Sequence, residues 1–196
     1  MLGNDRMTIP VKGYIRVFEE ANPSNIIFEE HNVICLNTQY LFARMMANIS
    51  DPVAGVWGLA IGAGAPDWPL NNQPDALPTQ QNIITPILRK PCRYIQFVDV
   101  NLNVIPSGGF SNIVDFQTIL NATTDSINNT PIRELGLIGG GSTASSTNLQ
   151  VAPFFNNATQ SSINDTNTAL LINYKTLPPL VLPAGINFIM SWVLTF

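Results

Sequence analysis

The chain has 196 residues and a formal net charge of −4, with only 11% charged residues against about 25% in an ordinary soluble domain. That length suits one well-buried domain, and the scattered Lys and Arg residues argue against nucleic-acid binding by phosphate neutralisation. Apolar segments set in an amide-rich, weakly charged background favour a subunit packed against copies of itself or other proteins, over an acidic amide-rich monomer.

Met1 to Pro10 lacks a positive region followed by an apolar one, so no secretory signal is expected. The Asn-x-Ser/Thr sequons then read as accidents of composition. Two cysteines, Cys35 and Cys92, make no disulfide framework and are expected to be buried thiols.

Val11 to Glu20 alternates Val11, Gly13, Ile15 and Val17 with Lys12, Tyr14, Arg16 and Phe18, the period of a strand. The four residues Ala21 to Ser24 lead to a second strand, Asn25 to Glu30, completing a hairpin. Asn37 to Ile49 predicts the one helix: Tyr40, Leu41, Phe42, Met45, Met46 and Ile49 recur at spacings of three and four, with Asn37 or Thr38 as N-cap. It is expected to cover the sheet and to stop at Ser50-Asp51-Pro52.

Gly55 to Gly64 predicts a buried strand, followed by an exposed loop over Ala65 to Pro78. Gln80 to Lys90 is read as a helical turn before Pro91, with Arg89, Lys90 and Arg93 on a solvated edge. Cys92 to Ile105 and Phe110 to Leu120 predict two long antiparallel strands joined at Pro106-Ser107-Gly108-Gly109, with Tyr94, Val98, Val100, Leu102 and Val104 set against Val114, Phe116, Thr118 and Leu120. Ile132 to Ile138 is another strand, in which Glu134 is expected to be structural, at a sheet edge or bonded to a turn. A second exposed excursion, Gly139 to Thr168, precedes a strand at Ala169 to Tyr174.

The terminal stretch places Ile186, Phe188, Met190, Trp192, Leu194 and Phe196 on one face of a strand. A membrane helix is disfavoured there, because Pro178, Pro179, Pro183 and Gly185 leave roughly a dozen residues where about twenty are needed. The whole, residues 1–196, reads as mainly β: a single antiparallel β-sandwich with one covering helix at about 37–49 and exposed loops at about 65–78 and 139–168. Trp57, Phe188, Trp192 and Phe196 are its expected core markers.

Catalytic and metal chemistry find little footing. His31 is the only histidine, and its pairing with Cys35 needs both on one helix face, whereas they straddle a strand-to-helix junction. No Cys-x-x-Cys, calcium-loop spacing or dinucleotide fingerprint occurs, so no cofactor, metal ligand or catalytic residue is assigned.

Asn32-Val-Ile34 before the helix, Ile61-Gly62-Ala63-Gly64, Glu134-Leu135-Gly136-Leu137-Ile138, Tyr174-Lys175-Thr176 with its following prolines, and Ser191-Trp192-Val193-Leu194-Thr195-Phe196 occur in an order that resembles a group of tailed-bacteriophage virion proteins. The resemblance implies a non-enzymatic structural subunit of the tail, baseplate, neck or fibre attachment, made in the host cytoplasm and partnered by its own copies and other virion proteins. Loops 65–78 and 139–168 depart from the usual pattern. They carry isolated large apolar residues, Trp68 and Leu70 in one and Val151, Phe154 and Phe155 in the other, which are the candidate protein contacts and are expected to order against neighbours, the alternative being that the loops fold back on their own sandwich. The competing expectations are a capsid decoration protein and a host-recognition carbohydrate-binding sandwich, the latter using Trp68 beside Asp67 and Asn71 to hold a glycan.

Overall fold

The computed structural model describes residues 11–46, 55–71, 73–140 and 169–196. Within them the chain is a β-sandwich of two five-stranded antiparallel sheets with one helix, as the alternation pattern predicts. The first sheet runs in the order β2 (Asn22–His31), β1 (Lys12–Glu19), β10 (Asn187–Thr195), β7 (Ile113–Asn121), β6 (Tyr94–Phe97). The second runs β3 (Val33–Ile34), β9 (Leu170–Leu180), β8 (Ile132–Gly139), β4 (Val56–Gly62), β5 (Pro86–Pro91).

The terminal strand holds the centre of the first sheet, pairing with β1 from Lys12↔Thr195 to Glu19↔Phe188 and with β7 from Asn187↔Asn121 to Thr195↔Ile113. Such a central position explains its apolar alternation. Phe188, Met190, Trp192 and Leu194 enter the main core beside Ile15, Val17, Phe116 and Leu120, facing Leu59, Ile61, Leu135, Leu137 and Leu177 of the other sheet. The indole N–H of Trp192 donates to Asn173 of β9 across that core at 3.1 Å, with the amide oriented by its hydrogen-bond network.

Two irregular segments turn the sandwich into more than two layers. The segment after β6 folds over the outer face of the first sheet, where Val98, Leu102 and Ile113 pack with Tyr14 and Val193. Residues 63–85 cross the outer face of the second sheet, where Ile83 joins Ala60, Ile138, Leu171 and Tyr174. Helix α1 (Asn37–Met46) touches both sheets: Leu41 packs on Leu170 and Ile172 of β9, and the Phe42 ring lies 5.6 Å from that of Phe196 just past β10.

Several expectations are corrected. The segment read as a helical turn contains β5, which pairs with β4 from Ile61↔Leu88 to Gly58↔Pro91 despite Pro86 and Pro91 at its ends. Pro is tolerated there because β5 is an edge strand. Arg89 of that strand is buried rather than solvated, and burial lowers its pKa to about 10. The long strand expected from Cys92 ends at Phe97, where the chain turns at 99–102 with Leu102 at φ 64° and makes a single bridge, Val98↔Val104. The first hairpin turns at Glu20 and Ala21, so β2 starts at Asn22 rather than after a four-residue connection. Strand β9 continues past Tyr174 to Leu180, with Pro178 and Pro179 in the bulged stretch opposite Arg133.

Candidate protein-contact surfaces

Glu134 shows what the long 63–85 segment is attached to. It sits in β8, inside the second sheet and fully buried. Its carboxylate accepts four hydrogen bonds: from the Gly64 N–H at 2.9 Å, the Thr85 N–H at 3.2 Å, the Ile84 N–H at 2.9 Å and the Tyr174 hydroxyl at 2.6 Å. A carboxylate has about four lone-pair positions, so every one is committed to tying both ends of the segment to the sheet. Burial, then the Glu134 charge, raises the Tyr174 pKa, which keeps its hydroxyl a donor.

Arg133, the neighbouring residue, ties down the middle. Its guanidinium donates to the Trp68 and Pro69 carbonyls at 3.0 and 2.5 Å and lies 5.4 Å from the Trp68 ring centroid. Gly64 makes room for that ring: its φ is +72°, and a Cβ there would come within 2.4 Å of the indole. The Thr176 hydroxyl donates to the Pro74 carbonyl at 2.7 Å, and the Leu36 N–H donates to the Pro78 carbonyl at 2.9 Å. Loop 65–78 is therefore held by its own chain, which corrects the expectation that it needs a neighbour to order it in favour of the alternative of folding back on its own sandwich. Trp68 is half-buried as an anchor of that loop, while Leu70 stands exposed.

The other candidates are distributed unevenly. Phe188 and Trp192 are core residues. Trp57 is half-buried at the rim of the outer cluster, with its N–H on the Gly140 carbonyl at 2.9 Å. Phe196, expected in the core, is 36% exposed, because the β10 pairing ends at Thr195 and its ring leans on Phe42 instead. Val151, Phe154 and Phe155 lie outside the described residues. Thr38, a predicted N-cap, sends its hydroxyl to the Ile172 carbonyl at 2.8 Å, docking the helix on β9. His31 and Cys35 do not meet: His31 is exposed beside Tyr14, while Cys35 is buried. Cys35 and Cys92 are free thiols. Among the described residues no group of three or more His, Cys, Asp or Glu is placed to hold a metal ion, and no helix is long and apolar enough to cross a membrane.

Two apolar surfaces remain. The first is at the β6 edge. Ile95 pairs with buried Phe116 and Phe97 with Val114, so both point toward the core side of the sheet, yet they are 52% and 41% exposed. Val100, Val104 and Phe110 are exposed in the segment that follows. No family model, curated protein or solved structure matches the chain, so these surfaces are interpreted on their own geometry. The second is a groove of about 570 Å³ at the end of the sandwich, walled by Val11, Ile34 and Phe196 on one side and by Phe42, Met45 and Met46 of α1 on the other.

Sequence reasoning missed both surfaces. The alternation that set Tyr94, Val98, Val100, Leu102 and Val104 against Val114 and Phe116 is corrected by the register, which turns Ile95 and Phe97 to that face and puts Val98 and Leu102 on the outer one. It also did not reveal that β6 is an edge whose core-facing side stays open. The helical periodicity assigned Met45 and Met46 to a buried stripe, and both are exposed.

Proposed function

We propose that this chain is a non-enzymatic structural subunit that works through protein–protein contacts in the virion of a tailed phage, in its tail, baseplate, neck or fibre-attachment region. The virion and its region rest on the sequence resemblance alone. The contact role is supported by one observation above others: Ile95 and Phe97 face the core side of an edge strand and are left half-exposed. A sheet margin of this kind is costly to leave in water and suits a neighbouring subunit, and exposed Val100, Val104 and Phe110 follow it in the chain. The low charge of the chain agrees with it. The glycan-binding alternative has less support, since Trp68 is taken up by Gly64 and Arg133.

Sedimentation of the purified protein tests the proposal. Self-association, or co-sedimentation with purified virion proteins, is expected for the wild type and is expected to be lost in the double variant Ile95→Glu, Phe97→Glu with its circular dichroism unchanged. A wild type that stays monomeric and binds no virion protein overturns it.

A further inference from the structure

The groove beside α1 is apolar on every wall that matters: Val11, Ile34, Phe42 and Phe196, with Met45 and Met46 along its lip. Met46 is 86% exposed, and two adjacent flexible thioethers form a surface that moulds to an apolar partner. One wall is also the place where the chain enters the fold. Lys12 opposes Thr195, so Val11 lies at the level of Phe196, and both line the groove. The ten residues before Val11 therefore start from inside it. At about 3.3 Å per extended residue they reach up to about 33 Å, several times what is needed to cross the groove.

Their sequence has the period to use it. In an extended chain Met7, Ile9 and Val11 share one side, with Thr8 and Pro10 on the other. Val11 lines the groove, so an arm that stayed extended would carry Ile9 and Met7 on the same side. Residues 47–54 are a poorer occupant, because they leave at Met46 and return at Gly55, where a Cβ would lie 3.8 Å from Met45 Cε, at the same end of the groove. A second copy would have to compete with a segment tethered to the groove wall at high effective concentration.

We propose that the groove is the docking site of the chain's own N-terminal arm, with Ile9 and Met7 seated against Phe42, Met45, Met46 and Phe196. The inference is independent of the assembly role, which rests on the β6 margin.

Peroxide oxidation of Met45 and Met46, followed by peptide mass mapping on the full chain, reads the occupancy directly. With the arm docked, both methionines are expected to oxidise roughly tenfold more slowly than in the Met7→Asp, Ile9→Asp double variant, the factor that about 1.4 kcal/mol of docking provides. Thr8→Asp, on the other side of the arm, is expected to keep the protection. A double variant Ile9→Cys, Met45→Cys is expected to form its disulfide within one chain on mild oxidation. Equal oxidation rates in wild type and the double Asp variant overturn the proposal. So does loss of protection in Thr8→Asp, or a disulfide that forms only between chains, which would put a neighbour's arm in the groove.

Discussion

At the scale of single residues, Glu134 concentrates the most consequence in one side chain. Replacing it by Ala leaves three backbone N–H groups and a buried hydroxyl without their acceptor, and each unsatisfied donor costs about 1–3 kcal/mol. Tyr174→Phe removes one of the four donors and leaves the other three in place. Urea unfolding should therefore rank the variants wild type, Tyr174→Phe, Glu134→Ala in falling stability, and the reverse order for the two variants would refute the anchoring role. The thiols make a second residue-level case. Burial pushes Cys35 up to about 12 from the ordinary 9.0, and Cys92 to about 12 with the Asp115 charge adding to burial. A group that holds its proton more tightly when folded contributes stability that is whole below its unfolded pKa and is lost as pH rises through its folded one. Stability is thus expected to fall between pH 9 and pH 12, and less steeply in a Cys35→Ala, Cys92→Ala variant measured by the same melts.

Among the elements, the terminal strand and the 63–85 segment have opposite origins. Strand β10 is defined by its own alternation and by partners on both sides, with Trp192 fully buried between the sheets. Trp192→Ala is expected to cost about 3–5 kcal/mol, since it empties the largest side chain of the core. An unchanged melting temperature would remove this strand from the core. Among its described residues the 63–85 segment has no strand or helix, and it depends on Glu134, Arg133 and Thr176 of β8 and β9. Trp68→Ala should hasten proteolysis within that segment, because the Arg133 contact and the Gly64 niche lose their occupant. It should leave self-association as it was, whereas a change in association alone would return Trp68 to the set of intermolecular contacts.

For the whole molecule, the proposed assembly role carries a prediction about salt. With few charges and a half-open sheet margin, contacts between subunits in that role would be dominated by apolar burial rather than by ion pairs. Raising sodium chloride, which screens charge pairs, is therefore expected to leave self-association intact, and sulfate to strengthen it. Sedimentation across a salt series checks this, and dissociation by moderate sodium chloride would point to an electrostatic contact instead. The ion pairs among the described residues lie within the chain: Lys90 holds Asp125 at 2.7 Å, and Lys175 of the second sheet pairs with Glu30 of the first.

The sequence by itself determined the class of fold, the helix near residues 37–46 and the core face of β10, because each is written in a local period of two or of three to four residues that burial on one side imposes. Glu134 was legible as a structural carboxylate for a similar reason, a charge in an apolar run having to find donors. What only the tertiary structure decided is which strands lie at the edges and what the irregular segments rest on. Alternation over Cys92 to Ile105 put Tyr94 and Val98 on the face of Val114 and Phe116, whereas the register turns Ile95 and Phe97 to it, and whether anything covers that face depends on the order of strands in two sheets. Phe196 carries the core-facing parity of β10 and still stands at the surface, because the sheet stops one residue before it. Trp68 looked like a side chain in search of a partner, and its partners, Gly64 and Arg133, come together only when β8 is laid beneath the loop. Local periodicity records which side of a strand is apolar, and the packing of distant segments decides whether that side is closed.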